Sequence, residues 1–323
     1  MFSLFISFIA CSEYAFHSPT NLNHRPEDEL NGFTDGLTEE VATGTETPVS
    51  YTVEFAERYE ASIELEVSSV DIAFALDTTC SMSEEAAALA REFSDIVDSL
   101  SESIPDAAYG FATFDDYNFY GLGSSSDRPF SLHNQITTDL PWIQYSLNYI
   151  TIHNGEDVPE SSMEALYQSL TGLGYNQSGE GVFNPGSDVP PFIAQAGDAF
   201  GGTHSGSFNP AVPGTGTIGG FGFREGSLPV IVYATDAPMR DADLGDTTPG
   251  AVSNPAGSTD VVHASDDLGA RLIGISTQST APMSQMNDLA LRTGSLYDAD
   301  GEGINNDPLV FHWTGSSEAF RNT

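Results

Sequence analysis

Oxygen-bearing side chains crowd the chain directly after an apolar run that ends near residue 77. In the stretch FALDTTCSM, Asp77, Thr79 and Ser81 alternate, and the acidic pair Glu84 and Glu85 follows. Alternating positions along one turn can point the same way, which brings a carboxylate and two hydroxyls together. Mg²⁺ and Ca²⁺ take carboxylate, hydroxyl and water oxygens as ligands. The stretch therefore predicts a cradle for a divalent cation, with a simple helix-capping cluster as the alternative.

Two other apolar runs also end in acid. Asp115 and Asp116 follow Phe114, and Asp236 follows Thr235. If these runs are parallel strands, their carboxyl ends share the edge of the sheet at which ligands bind. Acids gathered on one edge repel one another, and a bound cation relieves this repulsion. The runs together therefore predict a metal site at one edge of a sheet.

The pattern of apolar residues predicts the elements that hold these acids. Five apolar runs are typical of strands, at residues 70–76, 107–114, 228–234, 271–276 and 295–297. Five segments with helical spacing alternate with them, at residues 83–100, 139–150, 159–173, 259–269 and 282–292. Strands that alternate with helices at this length predict an α/β fold, with a doubly wound, mainly parallel sheet flanked by helices.

The remaining segments indicate the domain organisation. We place the sheet domain at residues 51–300, with strand patterns in its first residues and a Gly/Pro-rich insertion at 174–222. Residues 12–50 are typical of a polar tether, and residues 301–323 are expected to form a C-terminal tail. A connection from a helix to a strand reaches the amino ends of parallel strands. We therefore expect the insertion to lie away from the predicted metal site.

The charge of the chain limits its partners and its chemistry. Its 323 residues include 47 acidic and 9 basic residues, for a net charge of −38, and every basic residue is arginine. Binding to a phosphate backbone relies on Lys and Arg, so we expect no nucleic-acid partner. The lack of lysine excludes phosphate-cradling GxxxxGK loops and Schiff-base chemistry. So acidic a chain indicates a cation-rich setting or cationic partners, or a salt-tolerant, solubilising surface.

The first residues resemble an export signal. Residues 2–10, FSLFISFIA, form an apolar run too short to span a bilayer, and Cys11 follows as in a bacterial lipoprotein box. The resemblance implies that Cys11 is lipidated and that the protein is exported to the outer membrane or cell surface, with the lipid as its only membrane anchor. Secretion, including to the periplasm, and a buried N-terminal segment are alternatives. The only other cysteine is Cys80, so a disulfide framework is excluded, and we expect Cys80 to pack.

Four motifs together resemble the von Willebrand factor type A family. DTTCSM at residues 77–82 resembles the DxSxS signature of a metal-ion-dependent adhesion site. YGFATFDDY at 109–117 is similar to the second strand of the family, GEDVPES at 155–161 to its Asp-x-Pro-Glu turn, and GFREGSLPVIVYATDA at 222–237 to its Thr-Asp-Ala strand. The resemblance covers roughly residues 66–300. It is closer to the I-like domain of integrin β subunits than to the simple A domain.

The resemblance implies a central site for Mg²⁺ or Mn²⁺. Its ligands are expected to be Asp77, Thr79, Ser81 and Glu160, with Asp236 binding directly or through a water. Thr79 keeps the hydroxyl of the serine that the family has at this position. Glu160 takes the place of the threonine ligand of simpler A domains.

The resemblance also implies an adjacent, regulatory Ca²⁺ site. Ser81, Glu84 and Glu85 match its ligands, although the family commonly has Asp where this chain has Glu. Acids in the first turn of a helix also interact favourably with the helix dipole, which is the alternative explanation of the two glutamates.

A third, structural Ca²⁺ site is implied as well. Asp116, Asp157 and Glu160 match its ligands. The asparagine of the family aligns with Gly155, so either Asn154 replaces it by a shift of one residue or the site is weaker. Acids in a solvated loop are the alternative explanation of Asp116 and Asp157.

The function implied by the resemblance is binding. A protein partner would present an Asp or Glu carboxylate that displaces a water from the central cation, which makes the chain an adhesion-type module and not an enzyme. A calcium-stabilised structural protein of the cell envelope is the alternative. Other metal chemistry is weaker, because a haloacid-dehalogenase-type phosphatase needs an Asp at position 79. DADGEG at residues 298–303 lacks the Glu of a calcium loop, since Leu309 stands at its twelfth position.

Residues 117–134, YNFYGLGSSSDRPFSLHN, are the candidates for partner specificity. They leave the second predicted strand beside the predicted metal site. Tyr117, Phe119, Tyr120 and Phe130 are potential anchors, because aromatic residues dominate the energetics of many interfaces. Packing of these aromatic side chains beneath the loop is the alternative.

Overall fold

The computed structural model describes residues 69–179, 183–193, 206–250, 254–277 and 280–313. The apolar run with Cys11, the tether at residues 12–50 and the strand patterns between 51 and 67 lie outside the described residues. Those assignments therefore stay predictions.

A central sheet of six strands forms the middle layer of the described chain. Its strands are β1 (Val70–Asp77), β2 (Ala107–Phe114), β3 (Ser131–Thr137), β4 (Leu228–Thr235), β5 (Arg271–Ser276) and β8 (Val310–His312). They are ordered β3-β2-β1-β4-β5-β8 across the sheet. Every neighbouring pair is parallel except β2 and β3, which are antiparallel. A separate antiparallel pair is formed by β6 (Leu296–Tyr297) and β7 (Asp307–Pro308).

Five helices cover the two faces of this sheet. They are α1 (Ser83–Ser103), α2 (Leu140–Asn148), α3 (Ser162–Thr171), α4 (Ser258–Leu268) and α5 (Ala281–Arg292). The α/β class and the doubly wound, mostly parallel sheet are thereby confirmed. Each of the five predicted helices is present, and each of the five strands predicted from residue 70 onward lies within one residue of its predicted bounds.

Strand β1 shows why both faces need a layer of helices. Its side chains Ile72, Phe74 and Leu76 pack with those of α1 and α2, whereas Ala73 and Ala75 pack with those of α3, α4 and α5. All five are buried, as expected for a central parallel strand. Burial of each larger side chain contributes roughly 1.5–3 kcal/mol to the hydrophobic free energy.

The hydrophobic pattern did not predict strand β3. The insertion at 174–222 contacts this outer strand. Gln135 in β3 donates through Nε2 to the Asn209 carbonyl at 3.1 Å and to Thr215 Oγ1 at 2.6 Å. Polar side chains can therefore be buried in this strand, because they form hydrogen bonds with the insertion. The strand consequently lacks the alternation of apolar and polar residues by which a strand is predicted. The insertion also reaches the loop after β2, because Arg128 Nε donates to the Pro185 carbonyl at 3.3 Å. We had expected the insertion to lie away from the carboxyl edge, and this contact shows that part of it does not.

The sheet also extends beyond the domain boundary that we placed at residue 300. Strand β8 falls within the predicted C-terminal tail, yet it pairs in parallel with β5. A strand of three residues is too short to produce a recognisable pattern in the sequence. The sheet domain therefore includes residues up to at least His312.

Candidate metal centre

The order of the strands creates a crevice between β1 and β4. The chain leaves β1 toward β2 on one side and leaves β4 toward β5 on the other, so β1 and β4 are the neighbours at which the winding reverses. Ligands of open α/β sheets bind outside the carboxyl ends of such a pair. Asp77 is the last residue of β1, and Asp236 directly follows β4. The fold thus places two of the predicted metal ligands at this crevice.

The carboxylate of Asp77 is buried and held by three hydrogen bonds. Its Oδ1 accepts from the backbone N–H and the hydroxyl of Thr79, both at 2.8 Å. Its Oδ2 accepts from the hydroxyl of Thr235 at 2.7 Å. Burial raises the pKa of Asp77 to about 7, and the nearby charge of Asp236 adds to this effect. Its orientation is therefore set by both strands of the crevice.

A row of oxygens runs from Asp77 across the crevice to Asp236. A 3₁₀ turn at Cys80–Met82 follows β1 and brings Thr79 Oγ1 to 3.5 Å from Ser81 Oγ. The Ser81 hydroxyl in turn donates to Asp236 Oδ1 at 3.0 Å. Four of the five predicted central ligands therefore form one continuous set.

Glu160, the fifth predicted ligand, presents an unpaired oxygen. Its side chain is 4% exposed, and its Oε2 has no hydrogen-bond partner among the described residues. Burial raises the pKa of Glu160 to about 9, and the charges of Asp77 and Asp116 add to this rise. A buried carboxylate without a partner is unfavourable unless it binds a cation or takes up a proton.

Gly155 lies against both Glu160 and Thr79. A β-carbon on Gly155 would lie 3.3 Å from Glu160 Oε1 and 3.4 Å from Thr79 Cγ2. Its φ of 61° also lies in the left-handed region, which favours glycine. The unpaired Oε2 of Glu160, with the carboxylate of Asp77 and the hydroxyl of Thr79 as further oxygen donors, fits a hard divalent cation, which takes oxygen ligands.

The adjacent Ca²⁺ site is brought together only in part. Ser81 bonds to Thr79 and Asp236 and to neither predicted glutamate. Glu84 is exposed, whereas Glu85 is half-buried in the wall of a small, mostly apolar cavity under α1. Burial raises the pKa of Glu85, and the charges of Asp236 and Glu84 add to this rise.

Arg240 holds two of the three carboxylates that we assigned to the third Ca²⁺ site. Its Nη2 lies 2.6 Å from Asp116 Oδ2 and 2.7 Å from Asp157 Oδ1. Asn154, the predicted substitute ligand, is exposed. Asp116 and Asp157 therefore do not present free carboxylates to a calcium ion, and Glu160 is the member of the third set that has an unpaired oxygen. The sequence analysis missed Arg240, because its partner Asp116 lies 124 positions away in the chain.

The described chain carries two acidic groups that could hold a metal ion. In each group, three side-chain ligand atoms lie within 4.8 Å of one another. One group is Asp115, Asp127 and His153, and the other is Asp298, Asp300 and Asp307. Neither group contains a predicted central ligand. Asp115 was one of the acids expected at the edge of the sheet, and Asp298 and Asp300 lie in the DADGEG stretch, but none of the residues in the two groups was assigned as a ligand.

The first of these groups is already paired within the protein. Asp115 Oδ1 accepts from the Thr78 hydroxyl at 2.7 Å, and its Oδ2 lies 2.7 Å from His153 Nδ1. Asp127 accepts from the backbone N–H and the hydroxyl of Ser124, at 2.6 and 2.7 Å. The bond to Asp115 raises the pKa of His153. Through the bond from Thr78, this group helps to fix the first residues of the turn at residues 77–82.

Two expectations about side chains beside the crevice need correction. Cys80 is exposed, so the expectation that it packs is wrong. Of the aromatic residues in the loop after β2, Tyr117 and Phe130 are buried, whereas Phe119 is 42% exposed and Tyr120 is 96% exposed. Only the latter two can serve as anchors for a partner.

Comparisons with known proteins assign no family to the chain. No family model and no curated protein matches it. One similar solved structure is that of proximal thread matrix protein 1 from the mussel byssus, at 11% identity and a TM-score of 0.39. That match covers 77% of this chain and 44% of the mussel chain, so the chain spans less than half of its length. A likeness this weak supports no functional argument. Among the described helices, none is long and apolar enough to cross a membrane.

Proposed function

We propose that this protein is an exported, metal-dependent binding module of the von Willebrand factor type A kind. In this proposal a divalent cation, Mg²⁺ or Mn²⁺, binds at the crevice and completes its coordination with an Asp or Glu carboxylate of a partner protein. The observation that carries the proposal is the buried carboxyl of Glu160, whose Oε2 has no hydrogen-bond partner among the described residues and which lies within the electrostatic influence of Asp77.

Each central residue has a distinct part in this proposal. Asp77 and Glu160 supply negative charge to the cation, and Thr79 and Ser81 supply neutral hydroxyl oxygens. Asp236 is held by the Ser81 hydroxyl at 3.0 Å and would act directly or through a water. The bound cation supplies an electrophilic coordination position that a partner carboxylate can occupy.

The surface beside the crevice suits contact with a protein. Phe119 and Tyr120 are exposed on the loop that leaves β2, and the backbone N–H of Asp115 closes this loop by donating to the Arg128 carbonyl at 2.8 Å. Aromatic residues such as tyrosine are enriched in binding hot spots. We propose that this loop contributes to partner specificity.

The test separates metal binding from partner binding. Mg²⁺ and Mn²⁺ are titrated calorimetrically into the wild type, Asp77→Ala and Asp71→Asn. Asp71 is an equally buried aspartate on β1 but lies at the other end of the strand, paired with Arg224. We expect Asp77→Ala alone to lose the metal. If Asp77→Ala binds Mg²⁺ as the wild type does, the metal site is wrong.

A second measurement tests the partner carboxylate. In the Mn²⁺-loaded protein, water-proton relaxation reports waters on the metal, and an acidic partner that replaces one lowers the relaxivity. Surface extracts are first passed over the immobilised protein with Mg²⁺ or with chelator to obtain that partner. Metal binding without any Mg²⁺-dependent capture would favour the calcium-stabilised structural alternative.

Export and lipidation of Cys11 belong to the same proposal, but residues 1–68 lie outside the described part of the chain. Intact-mass analysis of the exported protein tests them. A diacylglyceryl mass on Cys11 is the expected result, and a mature N-terminus elsewhere would contradict it.

A further inference from the structure

Arg240 is a buried cation at the edge of the crevice. Among the described residues it is the one basic side chain that is buried, with 3% of the residue exposed. An arginine at such a depth requires acceptors for its charge and its donors. It lies in the segment that follows β4, four residues after Asp236.

One nitrogen of this arginine gathers three oxygens. Nη2 lies 2.6 Å from Asp116 Oδ2, 2.7 Å from Asp157 Oδ1 and 2.5 Å from the Pro159 carbonyl oxygen. These oxygens come from the end of β2 and from the turn that carries Glu160. Two carboxylates and a carbonyl around one point are also the kind of ligand set that surrounds Ca²⁺ at about 2.3–2.6 Å.

The rest of the guanidinium fixes the arginine in this position. Nε lies 3.2 Å from Asp116 Oδ1, which completes a two-pronged pair with that carboxylate. Nη1 donates to the Thr247 carbonyl at 2.8 Å. Paired arginine and carboxylate groups of this geometry are the stronger kind of ion pair.

The backbone of Arg240 also positions Glu160. The N–H of Arg240 donates to the Glu160 carbonyl at 2.7 Å, and the N–H of Glu160 donates to the Pro238 carbonyl at 3.0 Å. The turn that carries Glu160 is therefore joined to the segment after β4 by backbone and side chain together.

We propose that Arg240 is a built-in cation that replaces the third metal ion, and that removing its guanidinium converts Asp116, Asp157 and the Pro159 carbonyl into a Ca²⁺ site. Arg240 is thus a positioning residue that holds the Glu160 turn without calcium. This inference goes beyond the proposed function, because it holds whether or not the central cation binds a partner.

The test measures a gain of calcium binding. Calcium is titrated calorimetrically into the wild type and Arg240→Ala, and the melting temperature Tm is recorded with calcium and with chelator. We expect Arg240→Ala to bind one more Ca²⁺ than the wild type. Its Tm should fall in chelator and rise by about 5–10 °C at a hundredfold excess of Ca²⁺ over Kd. A purely structural arginine would give the fall without the gain.

Two variants test whether the extra Ca²⁺ binds to Asp116, Asp157 and the Pro159 carbonyl. Asp157→Asn should leave the Ca²⁺ stoichiometry of the wild type unchanged, because Arg240 already occupies the carboxylates. The double variant Arg240→Ala with Asp157→Asn should lose the extra ion that Arg240→Ala gains.

Arg224 offers a matched control at the opposite end of the sheet. It also bridges two aspartates, with Nε 2.6 Å from Asp71 Oδ1 and Nη1 2.6 Å from Asp106 Oδ1. Its two short contacts are made by different nitrogens, so no single point gathers three oxygens. Arg224→Ala should lower the Tm and gain no calcium ion.

Three results would overturn the inference. The first is a wild type that loses a Ca²⁺ on Asp157→Asn, which would place calcium beside Arg240. The second is an Arg240→Ala protein that folds but gains no ion. The third is an Arg240→Ala protein that does not fold even when it is refolded in calcium, because a cation then cannot replace the arginine. None of these three results depends on the capture of a partner with Mg²⁺, so they test this inference separately from the proposed function.

Discussion

The hydroxyl of Ser81 donates to Oδ1 of Asp236 at 3.0 Å and so joins the turn after β1 to the end of β4. The two residues are 155 positions apart in the sequence. Their bond spans the crevice at which the winding of the sheet reverses, and both belong to the proposed central site. Ser81 therefore has two parts in the proposal, as a ligand and as the group that orients Asp236.

We predict that Ser81→Ala lowers Mg²⁺ affinity by about tenfold or more, since loss of even an outer partner of a metal site costs about 10–100-fold. Ser81 is exposed, so the stability in chelator should change by less than about 0.5 kcal/mol. Calorimetric titration with Mg²⁺ and a chelator melt measure the two effects. Ser83→Ala, at an exposed serine outside the ligand set, is the control. Equal affinities of the two variants would contradict the role of Ser81.

We predict that Glu160→Gln abolishes most of the Mg²⁺-dependent rise in Tm while leaving the Tm in chelator at pH 7 nearly unchanged. The reason is that the pKa of about 9 leaves the metal-free Glu160 carboxyl protonated at pH 7, and glutamine mimics that neutral form. Thermal melts with chelator and with Mg²⁺ at pH 7 provide the comparison. Glu156→Gln, in the same turn but exposed, should behave as the wild type does. A full Mg²⁺ shift in Glu160→Gln would remove this residue from the ligand set.

The crevice and its first acids could be predicted from local patterns. The run that forms β1 is apolar except for Asp71 near its start, and Asp77 ends it, so a buried strand with an acidic carboxyl end follows from the sequence alone. The same holds for β2 with Asp115 and Asp116, and for β4 with Asp236. Parallel pairing then brings these ends to one edge.

Contacts between distant residues could not be predicted in this way. Arg240 meets Asp116 across 124 positions, and no local pattern distinguishes an arginine that pairs with carboxylates from one in solvent. Strand β3 was missed for a related reason, because its buried Gln135 is satisfied by Asn209 and Thr215 in the insertion. Polar side chains buried through long-range hydrogen bonds leave no apolar period to read.

We predict that Tyr120→Ala and Phe119→Ala weaken partner binding, by up to about 30-fold for a hot spot, without changing Mg²⁺ affinity or Tm. Both side chains are exposed, so their truncation leaves no cavity in the core. Tyr145→Ala, at a 61% exposed tyrosine on α2, is the matched control. Tyr117→Ala should instead destabilise the fold by about 3–5 kcal/mol, because Tyr117 is buried. Unchanged capture of the partner by both loop variants would exclude these residues as anchors.

The last prediction concerns the pH dependence of stability and metal binding. In the metal-free protein the pKa of Asp77 is raised by burial to about 7 and that of Glu160 to about 9, from usual values of 3.8 and 4.5. Between the usual and the raised values, the folded state binds more protons than the unfolded state, so stability falls as the pH rises. The stabilising contribution is complete below about pH 4 and is lost on passing through pH 7 and then pH 9. In chelator, the Tm should therefore decrease from pH 6 to pH 9.5.

Mg²⁺ should oppose this decrease in Tm. Metal ligands must be deprotonated to bind, so Mg²⁺ competes with the protons on Asp77 and Glu160, and its affinity rises over the same pH range. The difference in Tm between Mg²⁺ and chelator should thus widen from pH 6 to pH 9.5, and calorimetry in buffers of different ionisation enthalpy should show proton release on binding. Glu160→Gln should remove the part of the chelator trend that lies near pH 9. If the Tm in chelator is constant or rises over this range, the pKa values of these two carboxyls are not raised in the metal-free protein, and the prediction is wrong.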